Sequence, residues 1–112
     1  QDQVTLKIDS EKISLDIDSA VPCGLILNEL ISNTLKHAFP DGRQGSLFIG
    51  FHQVENNKFR LVIRDNGIGL PENFDIYTSD SLGVQLVLAL ADQLEGTIKV
   101  DKTNGTTFII EF

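Results

Sequence analysis

Apolar and polar residues alternate from Val4 to Ile8 and again at Ile13, Leu15 and Ile17, with Asp9-Ser10-Glu11-Lys12 between them. That period of two, broken by a polar turn, predicts a β-hairpin. The period then changes. Ser19 can cap a helix and Pro22 suits a first turn, so a helix is expected up to about Phe39, where Pro40-Asp41-Gly42 stops it. Leu47, Ile49 and Phe51 alternate next, Asn56-Asn57 marks a turn, and Phe59, Leu61 and Ile63 form a partner strand with Arg60 and Arg64 on its other face. A loop from Asn66 to Asp80 follows, then a second helix from Leu82 to Leu94, capped by Ser81 and ended by Gly96. Thr97 to Val100 and Thr106 to Phe112 make a last strand pair around Asn104-Gly105. The order ββ-α-ββ-α-ββ predicts an α+β fold, a two-layer α/β sandwich with both helices on one face of a mixed sheet.

The first helix is not uniformly amphipathic. Ile26, Leu27, Leu30, Ile31, Thr34, Leu35 and Ala38 fill one broad side, while Glu29, Asn33, Lys36 and His37 crowd into an arc of about 100° on the other. One reading is a solvated face. Asn33, however, is a poor helix former in mid-helix with nothing to cap. The other reading is a magnesium-nucleotide site: Asn33 offers a neutral oxygen to Mg²⁺, Glu29 acts as a base or holds a metal-bound water, and Lys36 and His37 reach phosphate oxygens. His52, in a strand, reads as structural.

Strand parity adds a second element. Phe59, Leu61 and Ile63 face the core, so Asp65 should point inward too, at the strand's end. A buried carboxylate needs a donor. The loop backbone can supply one, and so can the exocyclic amine of an adenine. Gly67 and Gly69 would let the backbone turn and approach a flat ring. Thr106 shares the parity of Phe108, Ile110 and Phe112, so its hydroxyl would sit on the same inner face, either as a plain strand residue or as a further adenine contact. Gly83, in the first turn of the second helix, would admit phosphate oxygens to backbone N–H groups, unless that helix is only a capped core element. The loop from Glu72 to Asp80 would then serve as a mobile lid, or be a disordered surface loop.

Composition narrows these readings. The chain has 112 residues, room for one domain with one core. Its net charge of −7 excludes a general nucleic-acid binder, which needs a basic surface, and leaves an anionic ligand only where a metal and N–H groups attract it. No apolar run is long enough for a membrane span, so no direct membrane contact is expected of this domain. The single cysteine, Cys23, falls in a helix interior and reads as a small buried residue in a reducing, cytoplasmic setting. The chain starts at Gln1 and contains no methionine, so residues 1–112 are expected to be one domain cut from a longer protein.

Four stretches in order resemble a known family. "LILNELISNTLKHAFP" is similar to the N box, "DNGIGLP" to the G1 box, "SLGVQL" to a shortened G2 box and "GTTFIIEF" to the closing strand of the ATP-binding catalytic domain of sensor histidine kinases, within the GHKL ATPase superfamily. The "NEL…N…KHAFP" form and the short lid most resemble the HWE-like branch. The resemblance implies roles residue by residue. Asn33 would coordinate Mg²⁺. Glu29 would hold the acidic N-box position, the base in the superfamily's hydrolases. Lys36 and His37 would touch ATP phosphates, and Asp65 would bind the adenine amine. Gly67, Gly69 and Thr106 would shape that pocket, and Gly83 would mark the phosphate turn. It implies Mg-ATP as cofactor, a histidine-bearing dimerisation domain of the same protein as acceptor, a response regulator as next partner, and a homodimeric parent, soluble or membrane-anchored. One glycine stands in the G2 box where many relatives have two, and no phenylalanine-rich box separates G1 from G2. Neither His37 nor His52 fits the phospho-accepting role. A GHKL hydrolase, an anti-sigma-like serine kinase and a nucleotide-binding module without catalysis are the alternatives.

Overall fold

Every strand alternates its side chains, and in three neighbouring strands the apolar set falls on the same parity: Leu47 and Ile49, Leu61 and Ile63, Phe108 and Ile110. In the computed structural model, which describes residues 4–112, these positions form the inner face of a five-stranded sheet. The elements are β1 (Val4–Ser10), α1 (Ile17–His37), one 3₁₀ turn (Pro40–Gly42), β2 (Gly45–Val54), β3 (Lys58–Asp65), α2 (Leu82–Gln93), β4 (Thr97–Asp101) and β5 (Thr106–Glu111). The sheet order is β1-β2-β3-β5-β4, with β1 parallel to β2 and every other pair antiparallel. Cys23, Ile26 and Leu30 of α1 and Val84, Val87, Leu90 and Ala91 of α2 close the core over that face. The expected α+β sandwich with a mixed sheet is what forms. Burial pushes the Cys23 thiol up, in keeping with a small core residue.

The first hairpin does not form. β1 finds its partner in β2, on the far side of α1, and Ile13–Ile17 makes no strand. Ile17 is instead the first residue of α1 and is 72% exposed. The physical reason lies one residue earlier. The Asp16 carboxylate accepts the Ser19 backbone N–H at 3.0 Å, so Asp16, not Ser19, is the N-cap. A three-position alternation is too short to outweigh that cap. On the sheet's outer face His52 lies 3.3 Å from Asp9 and 3.6 Å from Glu11, joining the edge strand β1 to β2. His52 therefore stands away from the inner face.

The later turns follow their residues. Asn56 and Asn57 both take positive φ (62° and 58°) in the three-residue connection between β2 and β3, a left-handed pair that Asn tolerates well. Ser81 caps α2 as expected, its Oγ accepting the Val84 N–H at 3.4 Å. At the other end of α2 the left-handed residue is Glu95 (φ 56°), one place before Gly96. Gly96 is needed for space, since a Cβ there would meet the Glu111 carbonyl oxygen at 2.4 Å.

Candidate functional site

Asp65 ends β3 and keeps the inward parity of Leu61 and Ile63. In the sheet register it stands between Leu47 of β2 and Thr106 of β5. It is 4% exposed and Thr106 is equally buried. Burial raises the Asp65 carboxyl above the ordinary carboxylate range; backbone N–H groups of Gly67 and Thr106 pull it partly back. The Gly67 N–H donates to Asp65 Oδ1 at 2.9 Å. One oxygen thus has a loop-backbone donor, as a tight turn would give it, and the same side chain also lines a cleft of about 210 Å³.

Three segments meet behind Asp65. A Cβ on Gly67 would lie 2.3 Å from the Ala38 carbonyl oxygen, so the loop after β3 packs directly on the end of α1. The Ile68 N–H donates to that same carbonyl at 2.9 Å. Gly67 therefore makes room for α1 and is not part of the cleft lining. Gly69 does line the cleft, with φ at 82°, a conformation suited to glycine. Its neighbour is Gly105 of the β4–β5 turn, whose own missing side chain allows it to rest against the Asp65 carbonyl oxygen.

Opposite this wall stands α1. Asn33 and His37 line the cleft, Asn33 half-buried and His37 exposed at its mouth. Thr34, buried on the side of α1 that holds Leu30, lines it as well. Lys36 is exposed and outside the lining. Glu29 is half-buried, also outside the lining, and it reaches α2. A Cβ on Gly83 would lie 2.8 Å from Glu29 Oε1, 3.8 Å from Ser81 Oγ and 3.9 Å from Asn33 Nδ2. Glu29 and Asn33 of the polar arc thus face the first turn of α2, while Lys36 and His37 are exposed. Leu35, expected on the buried side, is 52% exposed.

Of the nine residues singled out from sequence, Asn33, His37, Asp65, Gly69 and Thr106 share the cleft, and Glu29 and Gly83 meet at its α2 end. Phe74, Leu70 and Ser79 also line the cleft and were not singled out. A signal for Phe74 was available: one of two aromatic residues in a polar loop must find something to pack on. Among the described residues, no group of three His, Cys, Asp or Glu side chains is arranged to hold a metal by itself. Among the described residues, no helix is long and apolar enough to cross a membrane.

The family model described as histidine kinase-, DNA gyrase B-, and HSP90-like ATPase matches residues 19–112. The sensor histidine kinase PdtaS of Mycobacterium tuberculosis is 36% identical over 88 residues, which are 75% of this chain and 17% of that protein. Blue-light-activated histidine kinase 2 of Erythrobacter litoralis is 25% identical over 107 residues, 96% of this chain and 31% of that protein. The chain thus spans less than a third of the length of these curated relatives. Among solved structures, the histidine kinase domain of an Erythrobacter litoralis blue-light-activated histidine kinase superimposes with a TM-score of 0.92 at 24% identity, covering 100% of this chain and 52% of that one. The Acinetobacter baumannii histidine kinase AdeS gives 0.79 at 23% identity, covering 99% and 54%. These structural likenesses bear on the fold.

Proposed function

We propose that this chain, which belongs to the histidine kinase-, DNA gyrase B- and HSP90-like ATPase family, binds Mg-ATP in the cleft between α1 and the β3–β5 end of the sheet and presents the γ-phosphoryl for transfer to a histidine on a separate dimerisation domain. The observation that carries this reading is a single juxtaposition. A buried carboxylate, Asp65, and a buried threonine, Thr106, stand at one wall, and Asn33 and His37 of α1 stand at the other.

Each residue then has a task. Asp65, already holding the Gly67 N–H through Oδ1, accepts the adenine amine at its remaining oxygen. Thr106, paired with Asp65 across the strands, adds a hydroxyl beside the base. Gly69 keeps the wall flat, and Leu70, Phe74 and Phe108 give the base an apolar surface. The triphosphate runs toward α2, whose first turn is left open by Gly83 and whose dipole favours negative charge. Lys36 and His37, exposed on the last turn of α1, reach phosphate oxygens.

Magnesium suits the donors present. It takes hard oxygen ligands, one or two from protein and the rest from phosphates and water. Asn33 and Glu29 lie one helical turn apart, with Glu29 Oε1 and the Asn33 side-chain amide both near Gly83, and a carboxylate oxygen and an amide oxygen are the donors these two residues would offer such an ion. When bound, the ion would neutralise phosphate charge on a chain that is itself at −7. Glu29 stands near enough to that turn to accept a proton or hold a metal-bound water. Positioning and charge neutralisation would do most of the work of phosphoryl transfer. The parent would be a homodimeric sensor kinase that passes the phosphoryl to a response regulator, and this chain alone would bind nucleotide without becoming phosphorylated.

Calorimetric titration with a non-hydrolysable ATP analogue, with and without Mg²⁺, tests the reading. Magnesium-dependent binding that disappears in Asp65→Asn is expected. A folded wild-type chain that takes no nucleotide under either condition would withdraw it.

A further inference from the structure

The segment between Pro71 and Thr78 does not have the bonding of a free flap. Ile76 is 5% exposed and belongs to the hydrophobic core. The Phe74 N–H donates to the Pro71 carbonyl at 2.9 Å and the Thr78 N–H to the Asp75 carbonyl at 3.2 Å, so the segment is folded into two consecutive turns. Two side-chain contacts then tie it to the β4–β5 hairpin. The Tyr77 hydroxyl donates to the Ile98 carbonyl at 3.1 Å, on β4. Lys102 Nζ donates to the Glu72 carbonyl at 2.7 Å and to the Phe74 carbonyl at 3.1 Å.

Lys102 belongs to the turn between β4 and β5, and that turn has a second contact with the site. Its Gly105 rests on the Asp65 carbonyl and lies against Gly69. At its start the Thr103 N–H donates to Asp101 Oδ1 at 2.9 Å, which fixes the backbone on either side of Lys102. One four-residue turn, Lys102–Gly105, therefore holds both the glycine wall behind Asp65 and the loop that carries Phe74 into the cleft. An ammonium has three N–H donors, and two carbonyls presented from one loop suit it where a neutral side chain would leave them to water.

We infer that Lys102, which does not line the cleft, is a positioning residue for it: it clasps the Glu72–Phe74 backbone so that Leu70 and Phe74 form a fixed wall for the base, and the freedom expected of a lid does not extend to that segment. The inference rests on the reading of the cleft as a nucleotide site, and it revises the expectation that the whole stretch from Glu72 to Asp80 opens and closes.

The test uses the 112-residue chain as wild type, Lys102→Met, which keeps the stem and removes the donors, and Lys102→Arg, which keeps donors and charge. Two readouts separate the two readings. The first needs no nucleotide: hydrogen exchange at the Phe74 and Thr78 amides should accelerate about threefold to tenfold in Lys102→Met and return most of the way in Lys102→Arg. The second is affinity. Lys102→Met should weaken an ATP analogue and ADP by the same factor, about threefold to tenfold, because the defect lies at the base and not at the phosphates. Lys102→Arg should recover most of the loss. Unchanged exchange in Lys102→Met would overturn the clasp whatever the nucleotide does. Faster exchange with unaltered affinity in a chain that binds ATP would overturn its role in the site. A wild-type chain that binds no nucleotide would sink the functional reading on its own account.

Discussion

The inner face of the sheet has two ends, built from the same three strands at the same parity, and they are chemically opposite. At one end Phe51, Phe59 and Phe112 cluster with ring centroids 5.6 to 6.3 Å apart. At the other, two register steps beyond Ile49 and Ile63, the row reads Leu47, Asp65, Thr106. Between them Ile49, Ile63 and Phe108 form an ordinary apolar row. The strands dictate only which way each side chain points. Which end seals and which end opens is decided by residue type in the last row. Aromatic rings fill their own space, whereas a carboxylate and a hydroxyl demand partners and leave a cleft beside them. The cleft here is the place where a core is left unfinished.

The contrast predicts that the two ends fail differently. Asp65→Asn should abolish nucleotide binding, by about a hundredfold or more in Kd, because a donor replaces the acceptor the adenine amine needs. Titration calorimetry checks it, with an unchanged circular dichroism spectrum to show that the fold persists. Phe59→Ala should do the reverse. It should cost about 2 kcal/mol of stability, less than a fully buried ring because Phe59 is half-buried, and still bind the ATP analogue with near wild-type Kd below its melting point. Equal damage to binding from both substitutions would mean that the two ends are not energetically separate.

Legibility in the sequence divides along similar lines. Parity is strictly local, so the inward placement of Asp65 and Thr106 could be read directly from Phe59, Leu61 and Ile63 and from Phe108 and Ile110. The hairpin at Asn56-Asn57 and the Ser81 cap were legible for the same reason: each is settled within four residues. What was missed is non-local. β1 pairs with β2 across a 21-residue helix, a parallel partnership that alternation cannot announce. Gly67 looked like a residue that serves a ring because nothing in the chain shows that Ala38 lies 2.3 Å from where its Cβ would be. The Glu72–Asp80 loop looked free because the carbonyls that Lys102 holds lie 30 and 28 residues away from it. Composition describes a loop's polarity. It does not describe its anchors.

A smaller effect separates the metal from the base within the open end. Asn33→Ala should leave magnesium-free binding of the analogue within about twofold of wild type and remove most of the enhancement by Mg²⁺, a difference of about tenfold. Titrations at fixed nucleotide with and without the ion read both numbers. Loss of the magnesium-free component as well would move Asn33 from the ion to the nucleotide itself. The sealed end supplies the control, since Phe59→Ala should keep the full magnesium response.

The smallest effect concerns the stability that the unfinished row gives up. Burial raises the Asp65 carboxyl in the folded chain against two backbone N–H groups that lower it, and burial wins. A group whose folded pKa lies above its unfolded one contributes its full stability below the ordinary carboxylate range and loses it as pH rises through the folded value. Charging Asp65 is therefore a net cost to the fold. Asp65→Asn keeps an oxygen for the Gly67 N–H and carries no charge, so it should melt higher than wild type at pH 7. The gap should narrow as pH falls through the folded value of Asp65 and close once the carboxyl is protonated. Subtracting one melting curve from the other isolates the effect of this one substitution. A variant that melts lower at pH 7, or a gap that does not close in acid, would show that Asp65 stabilises the strand end on its own, and the two ends of the sheet would then differ in shape but not in what they cost.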